Sequence, residues 1–447
     1  MKIMKMNKNN LLWIPIIILA LGVIIRLLFT GSFGVRETYH DFWGVETYTH
    51  DTIEHIEYIQ FVAKHFSLPE VDKALEYPQQ PLYYVIIGIA YKFLNIFFTS
   101  SNSIFKILIW SSCIFSIGFL IFTYLTIKQL NLPIWVQSFI VGLSAFTPPF
   151  VFQSIMISND SLLTFTASAT FFFLIKYIKN EKFVYFILSL IFAMLSTLTK
   201  ISGGLLLIII LFALIYKYKK NNNKNFLTIA FSIMMIGFLC LGAMLYRAYI
   251  PATGEFRFVE SYAYESQKTN PESFSYFLDF NLIDLAKEGQ AYVWGEESVA
   301  KTLPTFLYGS FLFGEYKYDN IVKIFAPIKL LMRIIIILGL LFPIGLIANF
   351  FFFKKWSIID YISAVGIGGN LILLTSFLSK YPSVCNSDFR YFTPIFLGFL
   401  ILSSLGLSRI NEKLNNKFIL PILSFILISS EFFWIIIRIA IKIFENV

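Results

Sequence analysis

GVRETYHDFWGVETYTHDTIEHIEYIQFVAKHFSLPEVDKALEYPQQPLYY, residues 34–84, is a polar stretch in an otherwise oily chain. All four histidines of the protein fall in it: His40, His50, His55 and His65. So do nine carboxylates (Glu37, Asp41, Glu46, Asp51, Glu54, Glu57, Glu70, Asp72 and Glu76), opposed only by Arg36, Lys64 and Lys73. The whole sequence of 447 residues is 57% hydrophobic and only 14% charged, against roughly 25% charged in soluble domains. Such a chain needs lipid as its solvent. The expected fold class is an all-α polytopic membrane protein in which residues 34–84 form a loop outside the bilayer.

The formal charge is +9, but its distribution says more than its sum. Lysines cluster in short gaps between apolar runs, which is a topology signal and gives little support to a nucleic-acid partner. Of the three cysteines, Cys113 and Cys240 sit in apolar runs and Cys385 in a polar gap. They offer neither a disulfide framework nor a metal spacing.

A helix crosses a bilayer with roughly 20 apolar residues. Eleven runs qualify: 11–30, 103–127, 134–153, 160–178, 183–199, 201–216, 226–249, 326–350, 358–379, 389–408 and 418–441. The first follows basic residues, is too long for a signal-peptide core, and precedes no small-residue cleavage site. It is therefore expected to be a retained span. Six basic segments fall on one side if the eleven spans alternate. They are Lys2, Lys5 and Lys8; Lys128; Lys176, Lys179 and Lys182; Lys217, Lys219, Lys220 and Lys224; Lys354 and Lys355; and Arg409, Lys413 and Lys417. By the positive-inside rule that side is cytoplasmic. A multi-pass protein of the plasma membrane follows, with its N-terminus inside and residues 34–84 outside. The chain divides into an N-terminal transmembrane module, 1–250, which includes the loop 31–102; an external loop, 251–325; and C-terminal membrane helices, 326–447.

Two external loops this long are expected to hold structure of their own. In the first, Ile56, Ile59, Ala63 and Phe66 recur at helical spacing. Asp51, Glu54 and Glu57 turn away, with His55 at the edge of the apolar face. The pattern predicts an amphipathic helix at the membrane surface, stopped by Ser67-Leu68-Pro69. A second surface helix is expected after Pro81, over LYYVIIGIAYKFLNIFF. Counting it as a span would reverse the charge pattern downstream, so it reads as re-entrant or interfacial. Gly34–Asp41 and Gly44–Asp51 are similar to one another, which creates two candidate His-Asp pairs.

Asp51 begins the first surface helix. It is either a favourable first-turn charge or a general base at the membrane face; Asp41 is its rival through the repeat. The histidines are ten, five and ten residues apart, so no two share a helix face. His50 with Glu54 and Asp51 with His55 do stand at i, i+4. No cofactor is required by these spacings, although a divalent cation held by carboxylates and substrate phosphate oxygens is compatible with them. Gln79 and Gln80, between Pro78 and Pro81, can orient hydroxyls, and Tyr83 and Tyr84 suit an interface. In Ser158-Asn159-Asp160, Asn159 or Asp160 is a helix cap, or Asp160 is a second polar group of the site. Lys200 stands in a tight external turn, against the cytoplasmic bias, as a snorkelling lysine or a point charge for phosphate. Arg247 and Arg390 add two external cations, Arg390 with Asp388 as an alternative partner.

With these residues in place the chain resembles the GT-C membrane glycosyltransferases, closest to the branch of protein O-mannosyltransferases and aminoarabinose transferases. The resemblance rests on the order of Tyr48-Thr49-His50-Asp51, Tyr77–Tyr84, Ser158-Asn159-Asp160, Leu198–Gly203, Phe306–Gly314 and Arg390-Tyr391, and covers roughly residues 11–410. It implies a polyprenyl-phosphate sugar donor, with Asp51 as the catalytic acid residue of the first external loop and Glu54 able to share that role. It also implies Asp160 as the second acidic position, Lys200 near the lipid phosphate, and Arg390 as a further match.

The expected activity is inverting sugar transfer at the external face. Asp51, Asp160 and Glu54 are the catalytic candidates. Lys200, Arg247, Arg390, His55, Gln79, Gln80 and Tyr83 are the substrate-binding candidates. The partners are then the lipid-linked donor, membrane lipids and a glycan, lipid or protein acceptor. A flippase or transporter for a lipid-linked oligosaccharide is a rival, but the halves show no repeat and most mid-span positions are apolar. A polysaccharide polymerase is another.

Overall fold

Each of the eleven apolar runs folds as helix, though not every run as one piece. The structure is a computed structural model. It describes residues 13–32, 52–74, 76–221, 224–250, 255–256, 269–271, 273–288, 302–314, 326–352 and 356–445. Asp51, Asp41, His40 and His50 lie outside the described residues, as do Tyr262, Tyr264, Tyr292, Trp294, Glu296 and Glu297 of the second loop.

The chain runs through α1 (Ile14–Ser32), then α2 (Thr52–His65) and α3 (Leu82–Leu94) of the first loop, then α4 (Ser101–Gln129), α5 (Ile134–Phe146) and the short α6 (Pro148–Phe152). Next come α7 (Asp160–Asn180), α8 (Phe183–Thr199), a 3-10 turn (Ile201–Gly204), α9 (Leu205–Asn221) and α10 (Lys224–Ala248). Tyr249–Ile250 pairs antiparallel with Glu255–Phe256 as a minimal ribbon. Three short helices follow, α11 (Phe274–Leu278), α12 (Leu282–Glu288) and α13 (Leu303–Phe313). The C-terminal part holds α14 (Pro327–Gly339), α15 (Leu341–Phe352), α16 (Ile358–Lys380), a 3-10 segment (Phe389–Ile395) leading into α17 (Phe396–Lys413), and α18 (Ile419–Glu445).

Eight segments among the described residues are long and apolar enough to cross a membrane by length and composition. The runs at 134–146, 183–199 and 201–217 form shorter helices. Local chemistry explains two of the breaks. Pro148 and Pro149 have no N–H, so the carbonyls of Ser144 and Ala145 lose their i+4 partners and α5 ends at Phe146. Arg26 of α1, fully buried, takes their place. It donates from Nη2 to the Ser144 carbonyl at 2.9 Å and from Nη1 to the Ala145 carbonyl at 2.9 Å. It also donates to the Phe150 and Gly22 carbonyls and, from Nε, to Ser116 Oγ at 2.7 Å. A cation is thus held at the negative end of a helix. The second break lies at Lys200, whose backbone is extended (φ −154°, ψ 137°) between α8 and the 3-10 turn. The turn closes so tightly that a Cβ on Gly203 would lie 2.4 Å from the Ser196 carbonyl carbon.

α7 packs between α8 and α4, α1 against α5 and α4, α14 against α18, and α15 along α17. The last crossing is made by small residues. A Cβ on Gly406 would lie 1.9 Å from the Gly345 carbonyl oxygen, and one on Gly345 2.3 Å from that of Ser403. Close backbone approach of this kind drives helix association where lipid and side chains are equally apolar. Phe119, Phe150, Phe311, Phe389 and Phe396 join α4, α6, α13, the 389–395 segment and the start of α17, with the Phe150 and Phe396 ring centroids 4.1 Å apart.

α2 and α3 pack on each other, as the pattern predicts for two loop helices. Their close approach is at Gly88, where a Cβ would meet Val62 and the Ile59 carbonyl at 3.0 and 3.2 Å. At about 1.5 Å per residue, the 13 residues of α3 fall well short of a bilayer. Two details differ from the sequence reading. Phe66 does not join the buried face of α2: it takes a left-handed backbone (φ 51°) that ends the helix, is exposed, and lies under Lys92 Nζ at 3.7 Å. His55 is not at the edge but buried, together with Tyr58 and Val62.

Candidate active site

The first loop, the start of α7, the Lys200 turn and the 389–395 segment meet at one end of the helices. The charged centre is an ion pair. Lys200 Nζ lies 2.7 Å from Asp160 Oδ1, and the two side chains are only 12% and 10% exposed. Lys200 also stands 5.6 Å from the ring centroid of Tyr391, a cation–π distance. The Arg390 guanidinium is 5.4 Å from the same ring. Arg390 is the further cation that acts on Asp160. Asp388 serves the backbone, accepting from the Arg390 N–H at 2.7 Å as the cap of its 3-10 segment.

Asn159 does not cap α7 with its side chain. Its Nδ2 donates instead to Gln79 Oε1 at 3.0 Å and to the Thr199 carbonyl at 3.1 Å. Gln80 Oε1 accepts from the Ile201 N–H at 2.6 Å. The two glutamines therefore stitch the first loop to both strands of chain that carry Asp160 and Lys200. Both are buried, so each bond is made where an unpaired amide is expensive.

A second set of polar groups lies behind His55. Its Nδ1 is 2.7 Å from Tyr84 Oη and 3.6 Å from Glu76 Oε2. The Tyr84 hydroxyl donates to Glu76 Oε2 at 3.4 Å. Burial, with Glu76 beside it, raises the Tyr84 hydroxyl well above the ordinary phenol range. Tyr84 stacks on Tyr58 with centroids 3.8 Å apart. Tyr83 is buried at 1% exposure. Glu54 is partly buried on α2.

Arg247 closes the loop from α10. Its Nη2 donates to Tyr58 Oη at 2.8 Å and to the Tyr77 carbonyl at 3.0 Å, and both Nη atoms lie 3.5 Å from the Pro69 carbonyl. Burial pushes the Tyr58 hydroxyl up to about 12, opposed by Arg247.

The structure thus brings Asp160, Lys200, Arg390 and His55 together, with Gln79 and Gln80 as ties and Arg247 as a clamp on the loop. Sequence reasoning missed the Glu76–Tyr84–His55 group, Asn159 as a tie, and Tyr391 as the ring under two cations. Only the proximity of Glu76 to the Pro-Gln-Gln-Pro run hinted at the first.

A polytopic helical membrane protein with a buried charge pair roofed by loop helices is the class these elements define. Residues 82–256 match the model of the dolichyl-phosphate-mannose-protein mannosyltransferase family. Two crystal structures of the Archaeoglobus fulgidus oligosaccharyltransferase, a GT-C enzyme, share the fold. The one in complex with Zn and sulfate is 14% identical with a TM-score of 0.52, covering 96% of this chain and 53% of that one. The apo form is 15% identical with a TM-score of 0.53, covering 98% and 56%. The chain spans about half the length of these structures. No curated protein sequence matches it. The family match and the shared fold bear out the resemblance to the GT-C membrane glycosyltransferases.

Proposed function

We propose that this protein is a membrane glycosyltransferase that moves a sugar from a polyprenyl-phosphate donor to an acceptor hydroxyl at the external membrane face, with inversion. The observation that carries the reading is the buried Lys200–Asp160 pair beside Arg390 and Tyr391, because both paired residues lie inside the segment that matches a lipid-phosphate-sugar transferase family.

In the proposed step the acceptor oxygen forms a bond to the anomeric carbon as the bond from that carbon to the phosphate oxygen breaks. The electron pair leaves with the phosphate, and the acceptor proton passes to Asp51, with Glu54 as its neighbour on α2. A phosphate leaving group needs positive charge more than it needs a proton. Lys200 and Arg390 supply that charge in a water-poor site, where it acts strongly. Asp160 holds the Lys200 ammonium in place before the donor arrives. Arg247 acts by holding the loop over the site.

The A. fulgidus oligosaccharyltransferase was crystallised with Zn and sulfate. Among the described residues here no three His, Cys, Asp or Glu side chains gather to hold a metal ion.

The test is reconstitution in liposomes with a polyprenyl-phosphate sugar and candidate acceptors, followed by product analysis. A new glycosidic bond of inverted configuration is expected. Movement of intact lipid-linked sugar across the bilayer without bond formation would make the protein a flippase, and chain extension would make it a polymerase.

A further inference from the structure

The corner of the site that carries Arg390 and Tyr391 is held by the second loop, the chain between α10 and α14. Arg390 and Tyr391 lie in the 3-10 segment Phe389–Ile395, which has Pro394 inside it. A shorter 3-10 turn, Val384–Ser387, precedes it, and Asp388 between the two is extended (φ −64°, ψ 146°). Such turns bond less well than an α-helix and rarely run beyond about four residues, so this stretch depends on ties from outside. The Phe389 N–H donates to Ser310 Oγ of α13 at 3.0 Å. The Ser310 hydroxyl proton is turned to the Leu307 carbonyl of its own helix, at 3.4 Å, which leaves the oxygen to accept. The hydroxyls of Ser387 and of Tyr276 on α11 are 2.7 Å apart. Further back, the Thr269 N–H donates to the Pro382 carbonyl at 3.1 Å, and Phe311 packs on Phe389 with ring centroids 4.9 Å apart. Ser310, Tyr276, Ser387 and Phe389 are all buried, so a partner lost there is costly.

We propose that Ser310 and Tyr276 are positioning residues that set where Arg390 and the Tyr391 ring stand beside Lys200 and Asp160. Ser310 fixes the backbone at the residue before Arg390, and Tyr276 fixes it at Ser387, on the near side of Asp388. The Arg390 guanidinium and Lys200 Nζ lie 5.4 and 5.6 Å from the Tyr391 ring centroid. A shift of Phe389 therefore carries one cation and the ring that serves both. Gln79 and Gln80 tie the chain beside Asp160 and Lys200 to the first loop. The second loop does the same for Arg390 and Tyr391, so the spacing of the two cations is set by two loops together. The consequence for transfer rests on the function proposed above: the donor phosphate meets Lys200 and Arg390 at once only while the second loop is seated. The clamp itself does not rest on that reading.

The experiment uses the full-length protein in nanodiscs as wild type, Ser310→Ala and Tyr276→Phe, each substitution also made in an Arg390→Gln background. Tyr276→Phe removes a hydroxyl and keeps the ring, so it carries the test alone should Ser310→Ala fail to fold. Hydrogen–deuterium exchange over residues 384–395 is expected to be faster in the folded variants than in wild type. Unchanged exchange there overturns the clamp. In the reconstituted transfer assay the variants should lower kcat/KM for the polyprenyl-phosphate sugar by up to about 10²-fold, the cost of misplacing a group by about 1 Å, and the donor KM should rise. A mere loss of folded enzyme lowers kcat and leaves KM where it was. In the Arg390→Gln background the same substitutions should change kcat/KM by no more than about twofold, because residues that act through one another do not add. Full-sized losses in that background overturn the positioning role, and so does a wild-type donor KM in the variants. If wild type forms no glycosidic bond, the functional reading fails while the exchange rates still decide the clamp.

Discussion

Lys200 and Asp160, forty residues apart in sequence, are joined by a 2.7 Å ion pair between a helix break and a helix start. Neither position is in the interior of a helix. Both are fixed because the first loop ties them from above, through Gln79 to Asn159 and through Gln80 to Ile201. Site and fold are coupled there, and stability must be separated from chemistry when the pair is tested.

Removing one partner of a buried pair leaves the other charge uncompensated, at about 3–5 kcal/mol. Lys200→Ala and Asp160→Asn should each lower the melting temperature and the transfer rate. The apolar double variant Lys200→Met with Asp160→Leu should recover most of the melting temperature, read by thermal denaturation in detergent, and none of the transfer. Recovery of both would remove the pair from the mechanism. Lys200→Arg should keep more donor use than Lys200→Ala; equal losses would show that charge alone is not what Lys200 supplies.

Asp51→Asn is expected to reduce kcat by about 10²–10⁴-fold, the range of a general base, with an unchanged melting curve. Near-normal transfer by the purified variant would return the role to Asp41 or Glu54, which the same assay distinguishes as single variants.

Arg247→Leu should loosen the first loop. It removes the donor to the Tyr77 carbonyl, at 3.0 Å, and to the Tyr58 hydroxyl, at 2.8 Å, which keeps only its long bond to the Gln79 carbonyl. Each buried group left without a partner is worth about 1–3 kcal/mol. Limited proteolysis should cut first between α2 and α3, near Pro69. An intact loop under these conditions would show that the clamp is dispensable.

Gly406→Val should prevent the α15–α17 crossing, since a Cβ there meets the Gly345 carbonyl at 1.9 Å. Overpacking of this kind typically costs about 1–3 kcal/mol, and a backbone obstacle does not yield as a side chain does. Loss of monodisperse protein in size-exclusion chromatography is the expected result, whereas Gly242→Val, at a position with open space around it, should behave as wild type.

The membrane-helix architecture was legible because lipid imposes a simple code: long apolar runs with lysines between them. The two loop helices were legible from the 3.6-residue period and the proline stops. Within a span, Pro148 and Pro149 announce one break. Lys200 reads as a tight turn between two spans, and its extended backbone stands there. The pairing of Asp160 with Lys200 could not be read from spacing, because contacts between separate helices have no period. The same holds for His55, which looked like an edge residue on α2 alone; α3 covers that edge and buries it against Tyr84.

Arg26 gives α1 a place in the order of events during synthesis. Three of the four carbonyls that hold its guanidinium lie 118 to 124 residues later in the chain. Ribosomes therefore deliver α1 to the bilayer long before its partners exist. An arginine in mid-span opposes insertion by about 2.5–3.5 kcal/mol on biological scales, which the apolar remainder of α1 must outweigh alone. Its seat is completed only when α4, α5 and the Pro148-Pro149 corner arrive. The earliest of these helices to be made is thus among the last to be settled, and a truncated chain that ends before Ser144 would leave that charge only the Ser116 hydroxyl and the Gly22 carbonyl of its own helix.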